Sequence, residues 1–384
     1  MNTYKRLIII SAITLLVIFI AVKSPILDRR STAPLQSSDL SNHPIYSKYK
    51  FEVNENIINI GVQPLYSPTG VITEALKRDT ILRQSLSRLG LEMRFYSFLK
   101  GSDVNYFMKN GSLSVGISGD MPTIILASSF DVVIPSLIQM GYTAVIAKQP
   151  VLIKELKGKK IGYAYGSNAH YALLAALAQE GLSEKDVTLI PLESLEMPAA
   201  LKNNKIFAFS AWEPVTTLST RENTETFAIH KMLTTGYISF RKSLYEKQAE
   251  AVYHILAAEV RAIRWLLRSR ENRIRAASWV IQSVNNLYTT QPLNLTEELI
   301  DELSLKELSN ITSAPIIPEK ITSEGGPMYN EFIFLKKIGL LPYDTDWNKA
   351  YNSFTNVALI KVLDKAEAYR LNEFQYSQQD KANE

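Results

Sequence analysis

The stretch Gly166-Ser167-Asn168-Ala169-His170-Tyr171 has the composition of a turn that leads a strand into a helix. Gly166 permits the tight turn, and Ser167 is a natural N-cap. The first N–H groups of a helix lack intrahelical partners and gather roughly half a positive charge, so such a turn suits a sulfonate, nitrate, phosphate or carboxylate. Ser118-Gly119-Asp120-Met121-Pro122 repeats the pattern earlier in the chain, with a proline in the first turn. Trp212-Glu213-Pro214 offers an apolar wall and a carboxylate for the cationic end of a zwitterion. Gln63 and Tyr66 follow the first strand, where a ligand-facing loop belongs. Each feature has a plain structural alternative. These are a capped helix facing water, an Asp120 that caps its own helix, a core tryptophan beside a surface glutamate, and a packed His170.

Catalytic signatures are missing from the chain: it has no Gly-x-Ser-x-Gly, no Walker loop and no Gly-x-Gly-x-x-Gly. Cysteine is absent, and His43, His170, His230 and His254 form no His-x-His or His-Glu-x-x-His pair. No metal, no cofactor and no catalytic residue is therefore expected, and the chain is read as a binding protein rather than an enzyme. With 42 basic and 38 acidic residues and a net charge of +4, no nucleic-acid partner is expected either. Arg261, Arg264, Arg268, Arg270, Arg273 and Arg275 read as a solvated helical face.

The elements that must hold these turns alternate. Strands are expected at 57–62, 91–96, 113–117, 132–134 and 143–147, with a helix over 71–89 and a short one after Gly101. A second group begins after Pro150: strands at 160–165, 187–192 and 206–211, with helices over 169–180 and 197–203. A lone strand at 237–240 precedes helical segments over 244–270, 272–284, 295–307, 327–339 and 354–363. This alternation predicts βαβ units and a mostly parallel sheet. Two α/β groups linked near 147–150 and again near 233–237 imply two lobes with a cleft between them.

The chain has 384 residues, 46% hydrophobic and 21% charged, enough for a globular protein with more than one lobe. Its start has another character: Lys5-Arg6 is followed by the uncharged run Leu7–Val22. That is the form of a signal peptide or signal anchor. Its 16 residues reach roughly 24 Å against a hydrocarbon core of ~30 Å, a gap that Lys5, Arg6 and Lys23 can bridge by snorkelling. The small-residue sites after Ser24 and Ala33 are each followed by proline, which favours an uncleaved anchor at residues 7–22. The expected organisation is an anchor or signal peptide at 1–23 and a flexible tether at 24–54. Lobe 1 follows at 55–148, lobe 2 at 149–235, the helical remainder of lobe 1 at 236–364, and a polar tail at 365–384.

Several of these stretches, taken in order, resemble the substrate-binding proteins of nitrate/sulfonate/taurine ABC importers. They are Leu156-Lys157-Gly158-Lys159-Lys160-Ile161-Gly162, the Gly166–Tyr171 turn, Gly181-Leu182 with Asp186-Val187-Thr188-Leu189, Ala211-Trp212-Glu213-Pro214, and Lys337-Ile338-Gly339-Leu340-Leu341-Pro342. The resemblance covers about residues 55–364. It implies an α/β fold of the two-lobed type II periplasmic-binding-protein kind, with a hinge and a central cleft. It also implies capture of a small anionic or zwitterionic ligand, delivery to permease subunits, and a place on the outer face of the cytoplasmic membrane or in the periplasm. Carried over residue by residue, ligand contacts fall on Gln63, Tyr66, Ser118, Gly119, Asp120, Gly166, Ser167, Asn168, His170, Trp212 and Glu213. Two other functions fit the same fold: a membrane-anchored ligand sensor or scaffold without transport, and an enzyme like the pyrimidine-precursor synthases of thiamine biosynthesis. Those synthases carry a cysteine-rich motif that this chain lacks.

Overall fold

The computed structural model describes residues 39–222, 225–288 and 294–378. The anchor expected at 1–23 and the first part of the tether lie outside the described residues. Among the described residues no helix is long and apolar enough to cross a membrane.

The chain opens with β1 (Ile57–Val62), α1 (Thr69–Arg78), α2 (Thr80–Arg88), β2 (Glu92–Ser97), α3 (Gly101–Lys109), β3 (Val115–Gly119) and α4 (Asp120–Ser129). One long strand, β4 (Val132–Ala147), leads to β5 (Lys160–Tyr163), α5 (Asn168–Gln179), β6 (Thr188–Pro191), α6 (Met197–Lys202), β7 (Ala208–Trp212) and α7 (Val215–Glu222). A second long strand, β8 (Phe227–Arg241), returns to α8 (Lys242–Lys247), α9 (Ala249–Arg268), α10 (Arg270–Leu287) and α11 (Glu297–Leu308). Four helices close the chain: α12 (Glu319–Thr322), α13 (Pro327–Lys337), α14 (Trp347–Tyr351) and α15 (Val357–Asp364).

All eight strands join one sheet in the order β2-β1-β3-β8-β4-β7-β5-β6. Pairing is parallel within β2-β1-β3 and within β7-β5-β6, as βαβ units require. The centre is antiparallel: β8 pairs with β3 and β4, and β4 with β7. The expected strands at 132–134 and 143–147 are thus one strand, and the lone strand at 237–240 is the end of a 15-residue one. Three register irregularities in β4 let the pair bend as it passes from one strand group to the other.

Four further differences have clear physical causes. The helix expected over 71–89 breaks at Asp79, whose carboxylate caps α2 by accepting from Leu82 N at 2.9 Å. Within the stretch expected to be a tether, residues 39–54 are docked. Tyr46 is 2% exposed and Phe51 packs on Tyr96 and Phe107, because aromatic side chains bury too much apolar area to stay in water. The expected polar tail also docks as far as it is described: Leu371 is buried, Tyr376 packs on Trp265, and Thr80 N donates to the Gln375 carbonyl. Of the arginines read as a solvated face, Arg261 and Arg273 are buried and paired with Asp79 and Asp301.

Candidate functional site

Four strand ends carry the residues singled out by sequence. After β1, the Gln63 Nε2 donates to the Ile117 carbonyl at 2.9 Å, and Tyr66 turns inward, 4% exposed. After β3, Ser118 Oγ lies 3.1 Å from Thr123 Oγ1 and Gly119 caps α4 through its backbone. Asp120 folds back on its own helix: one carboxylate oxygen accepts from Met121 N and the other from Thr235 N, both at 2.9 Å. Burial pushes its carboxyl up to about 7. After β5, Gly166 takes φ +71°, which a side chain would oppose. Ser167 Oγ donates to the Ala164 carbonyl at 2.6 Å, and Asn168 opens α5. After β7, Trp212 meets Tyr66 edge-on with ring centroids 5.8 Å apart.

These ends converge from both sides of the central strand pair. Asn168 Nδ2 donates to Tyr66 Oη at 2.9 Å and to the Thr235 carbonyl at 3.3 Å. Its side chain lies against Gly119 so closely that a Cβ there would sit 1.9 Å from Asn168 Oδ1. Gln63, Tyr66, Gly101, Gly119, Pro122, Ser167, Asn168 and Trp212 enclose a cavity of about 10 Å³, room for one water molecule. Gly119, Ser167 and Asn168 were legible as helix starts; Gly101, the first residue of α3, was not recognised as part of the site. Its signal was the Lys100-Gly101-Ser102-Asp103 sequence, a glycine at a helix start with an acid in the first turn.

The remaining expected residues sit behind this wall. Glu213 accepts from Thr217 N at 3.1 Å and Thr217 Oγ1 at 2.9 Å, so it caps α7. His170 lies between the rings of Tyr163 and Tyr165, and burial pushes its imidazole down to about 4, so it is neutral. Ser118 and Asp120 support their turns without lining the cavity, and Gly166 does so through its backbone.

The cavity wall holds N–H donors and no cationic side chain. Three helix starts point at it: α3 at Gly101, α4 at Gly119 and α5 at Asn168. Trp212 Nε1 is a buried donor without a partner, on a residue 5% exposed. Acids lie in the layer beyond. Glu331 is held well above the usual carboxyl range by burial and then by Asp120, and Glu307 is pushed up to about 8 by burial and then by Glu213. Among the described residues no cluster of three or more His, Asp or Glu is placed to hold a metal ion.

Residues 89–272, from just before β2 to the first turn of α10, match the family model described as NMT1/THI5 like. The match spans just under half of the chain. The matched stretch contains Gly119, Asn168 and Trp212, while Gln63 and Tyr66 precede it. A Bacillus subtilis protein named for aliphatic sulfonate binding is 27% identical over 62% of this chain and 75% of its own length. An Escherichia coli protein of the same name is 28% identical over 32% of this chain, and the aligned stretch spans only 40% of that relative. Among solved structures, the alkanesulfonate-binding protein SsuA from Xanthomonas axonopodis pv. citri, bound to MOPS, superposes with a TM-score of 0.60 at 18% identity. The superposition covers 79% of this chain and 99% of that one. The fold is therefore an α/β periplasmic-binding-protein fold like that of SsuA.

Proposed function

We propose that this chain is the solute-binding component of a sulfonate/nitrate-type ABC importer. It works in the periplasm or on the outer face of the cytoplasmic membrane, with permease subunits as partners. In this reading lobe 1 comprises 55–148 and 236–364, lobe 2 comprises 149–235, and β4 and β8 form the hinge. The apolar run 7–22 holds the protein to the membrane. The observation that carries the reading is a cavity lined by three helix starts and by Trp212, whose Nε1–H has no partner among the described residues. Such a set of neutral donors stabilises an oxyanion without a counter-cation. The ligand in this reading is a small anionic or zwitterionic solute such as a sulfonate, taurine or nitrate. Binding requires the lobes to part, because a cavity of about 10 Å³ is far smaller than a sulfonate.

The absence of cysteine and the ring-packed, neutral His170 support a binding protein over an enzyme of the pyrimidine-synthase kind. One observation favours a second reading, an anchored sensor or scaffold: Asn168 and Tyr66 already fill the cleft. A thermal-shift and calorimetric screen of the full chain against alkanesulfonates, MOPS, taurine and nitrate decides between them. A ligand at about 100 times its Kd adds ~2.7 kcal/mol of stability. A sulfonate hit weakened about tenfold by Trp212→Phe supports solute capture, and silence across the panel supports the sensor or scaffold. In either case the full-length screen retains Tyr46, which a domain cut at residue 45 would leave at a frayed end.

A further inference from the structure

The segment ahead of β1 reaches, through one chain of polar contacts, an ion pair that joins the two strand groups. Lys100, which precedes α3 in lobe 1, donates to Glu193 Oε1 in lobe 2 at 2.9 Å. This ion pair is half-buried, its side chains 16% and 33% exposed; Arg221–Glu302, which also links the groups, is 51% and 58% exposed. The Lys100 ammonium is held from the other side by Asp103 Oδ2 at 3.4 Å. Asp103 is buried, and Tyr46 Oη donates to that same Oδ2 at 2.6 Å while accepting from Leu99 N at 3.0 Å. The Tyr46 ring is fixed by His43, stacked 4.1 Å away, and by Phe98 and Phe107. Tyr49 and Phe51 extend the contact: Tyr49 Oη donates to the Ser97 carbonyl, and Phe51 lies 4.4 Å from the Tyr96 ring.

We propose that residues 39–51 form an arm that sets the closed state, with Tyr46 as a positioning residue. It holds Asp103, and Asp103 holds Lys100 where it can reach Glu193. Lys100 is long and flexible, and an ion pair across a cleft adds net stability when the entropy of fixing such a side chain has been largely spent beforehand. A carboxylate pinned by a buried phenol supplies that restraint. Loss of the phenol leaves Asp103 free to turn and Lys100 free to relax into water. The consequence is that release of the arm and opening of the cleft are coupled. The inference rests on the two-lobed binding reading, but it concerns the open–closed balance and is measurable without a ligand.

The chain contains no cysteine, so Ser87→Cys in lobe 1 and Lys185→Cys in lobe 2 give a clean pair of spin labels on the full chain. Pulsed dipolar spectroscopy then reads the inter-lobe distance distribution. Lys100→Gln is expected to move population to a longer distance, and Tyr46→Phe, which keeps the ring, to do the same to a smaller extent. Arg221→Gln should leave the distribution unchanged, as exposed ion pairs contribute little. The Tyr46→Phe/Lys100→Gln double variant should be no more open than Lys100→Gln alone, the non-additivity expected of residues acting through one another. Asp103→Asn provides a second route to the same result should Tyr46→Phe lower expression. An unchanged distribution in Tyr46→Phe and Asp103→Asn, or additive effects in the double variant, overturns the proposal and makes the arm mere packing. If no sulfonate binds, the proposed transport function falls while these distances still decide the role of the arm. If a sulfonate binds, its affinity should fall about tenfold in Tyr46→Phe.

Discussion

Helix α9 carries two buried charged residues two positions apart whose surroundings are opposite. Arg261 faces α1 and α2, where its Nε and Nη2 bond to Asp79 Oδ2 at 2.8 Å and its Nη1 donates to the Tyr369 carbonyl. Glu259 faces the long strand β4 and, among the described residues, receives only the Ser136 hydroxyl, at 2.7 and 2.9 Å from its two oxygens. The contrast extends to the two regions as a whole. Behind α9, Glu74 is held by Lys77 and Arg78, and Asp301 by Arg273. Along the central strands Asp120, Glu259, Glu307 and Glu331 are buried, and none of them makes an ion pair among the described residues. A buried acid without a cation stays uncharged by keeping its proton, whereas a paired one depends on its partner. The helical back is therefore built for permanence, and the central strand pair for a charge state that pH can change.

The sharpest way to break the comparison is Arg261→Met. It leaves Asp79 buried without its cation and should cost about 3–5 kcal/mol in urea unfolding at neutral pH. The double variant with Asp79→Asn should recover much of that loss. Glu259→Gln, on the same helix, should change stability by less than about 1 kcal/mol at pH 4, where the carboxyl is neutral in the folded and unfolded chain alike and the amide can still accept from Ser136. Equal losses in Arg261→Met and Glu259→Gln would show that the two sites are alike after all.

A pH series sharpens the same contrast. Burial pushes Glu259 and Glu307 up to about 8 from an ordinary value of 4.5. Between those values the folded chain binds more protons than the unfolded one, so stability falls as pH rises from about 4.5 to about 8 and levels off above it. Each such group contributes about 1.4 kcal/mol per pH unit to the slope within that window. Glu259→Gln should therefore flatten the curve by about that amount and raise stability at pH 9. Asp120, pushed up to about 7, adds a component that ends one unit earlier. Unfolding free energies collected from pH 5 to 9 give the slopes directly, and a Glu259→Gln curve parallel to the native one would refute the assignment.

The parts legible in the sequence are those dictated by local chemistry. The glycine and N-cap of Gly166-Ser167 and the Ser118-Gly119 turn are written in residue type, and strand β1 spans 57–62 as expected. What was not legible depends on partners distant in sequence. The union of 132–134 and 143–147 into β4 follows from β8 pairing along its whole length, through a Gly141 and Ser136 region that reads as a break. The docking of Tyr46 depends on Asp103, Phe98 and Phe107, and the burial of Arg261 on an Asp79 that looked like the middle of a helix. At the site, residue type alone did not separate Asn168, which crosses to Tyr66, from Glu213, which turns back to cap α7. Both are polar residues at strand-to-helix turns, and the direction of the side chain follows from which donors are left unpaired around it.

The smallest expected change in stability belongs to Gly119, which lies against Asn168. Gly119 has ordinary backbone angles, φ −74° and ψ −178°, so alanine meets no conformational penalty there. The obstacle is contact: the new Cβ would lie 1.9 Å from Asn168 Oδ1 and 2.3 Å from its Cγ. Both are side-chain atoms of Asn168, so under the proposed two-lobed reading the clash is relieved if Asn168 leaves Tyr66 and the lobes part. Gly119→Ala should then cost less than about 1 kcal/mol in urea unfolding. The same variant should lengthen the distance between labels at residues 87 and 185 and weaken any sulfonate that requires the closed form. Asn168→Ala in the Gly119→Ala background removes the obstructing atoms and should restore the closed distance. Should Gly119→Ala instead unfold the chain as readily as Arg261→Met while leaving the distance unchanged, the contact at Asn168 belongs to the permanent core rather than to a closing cleft.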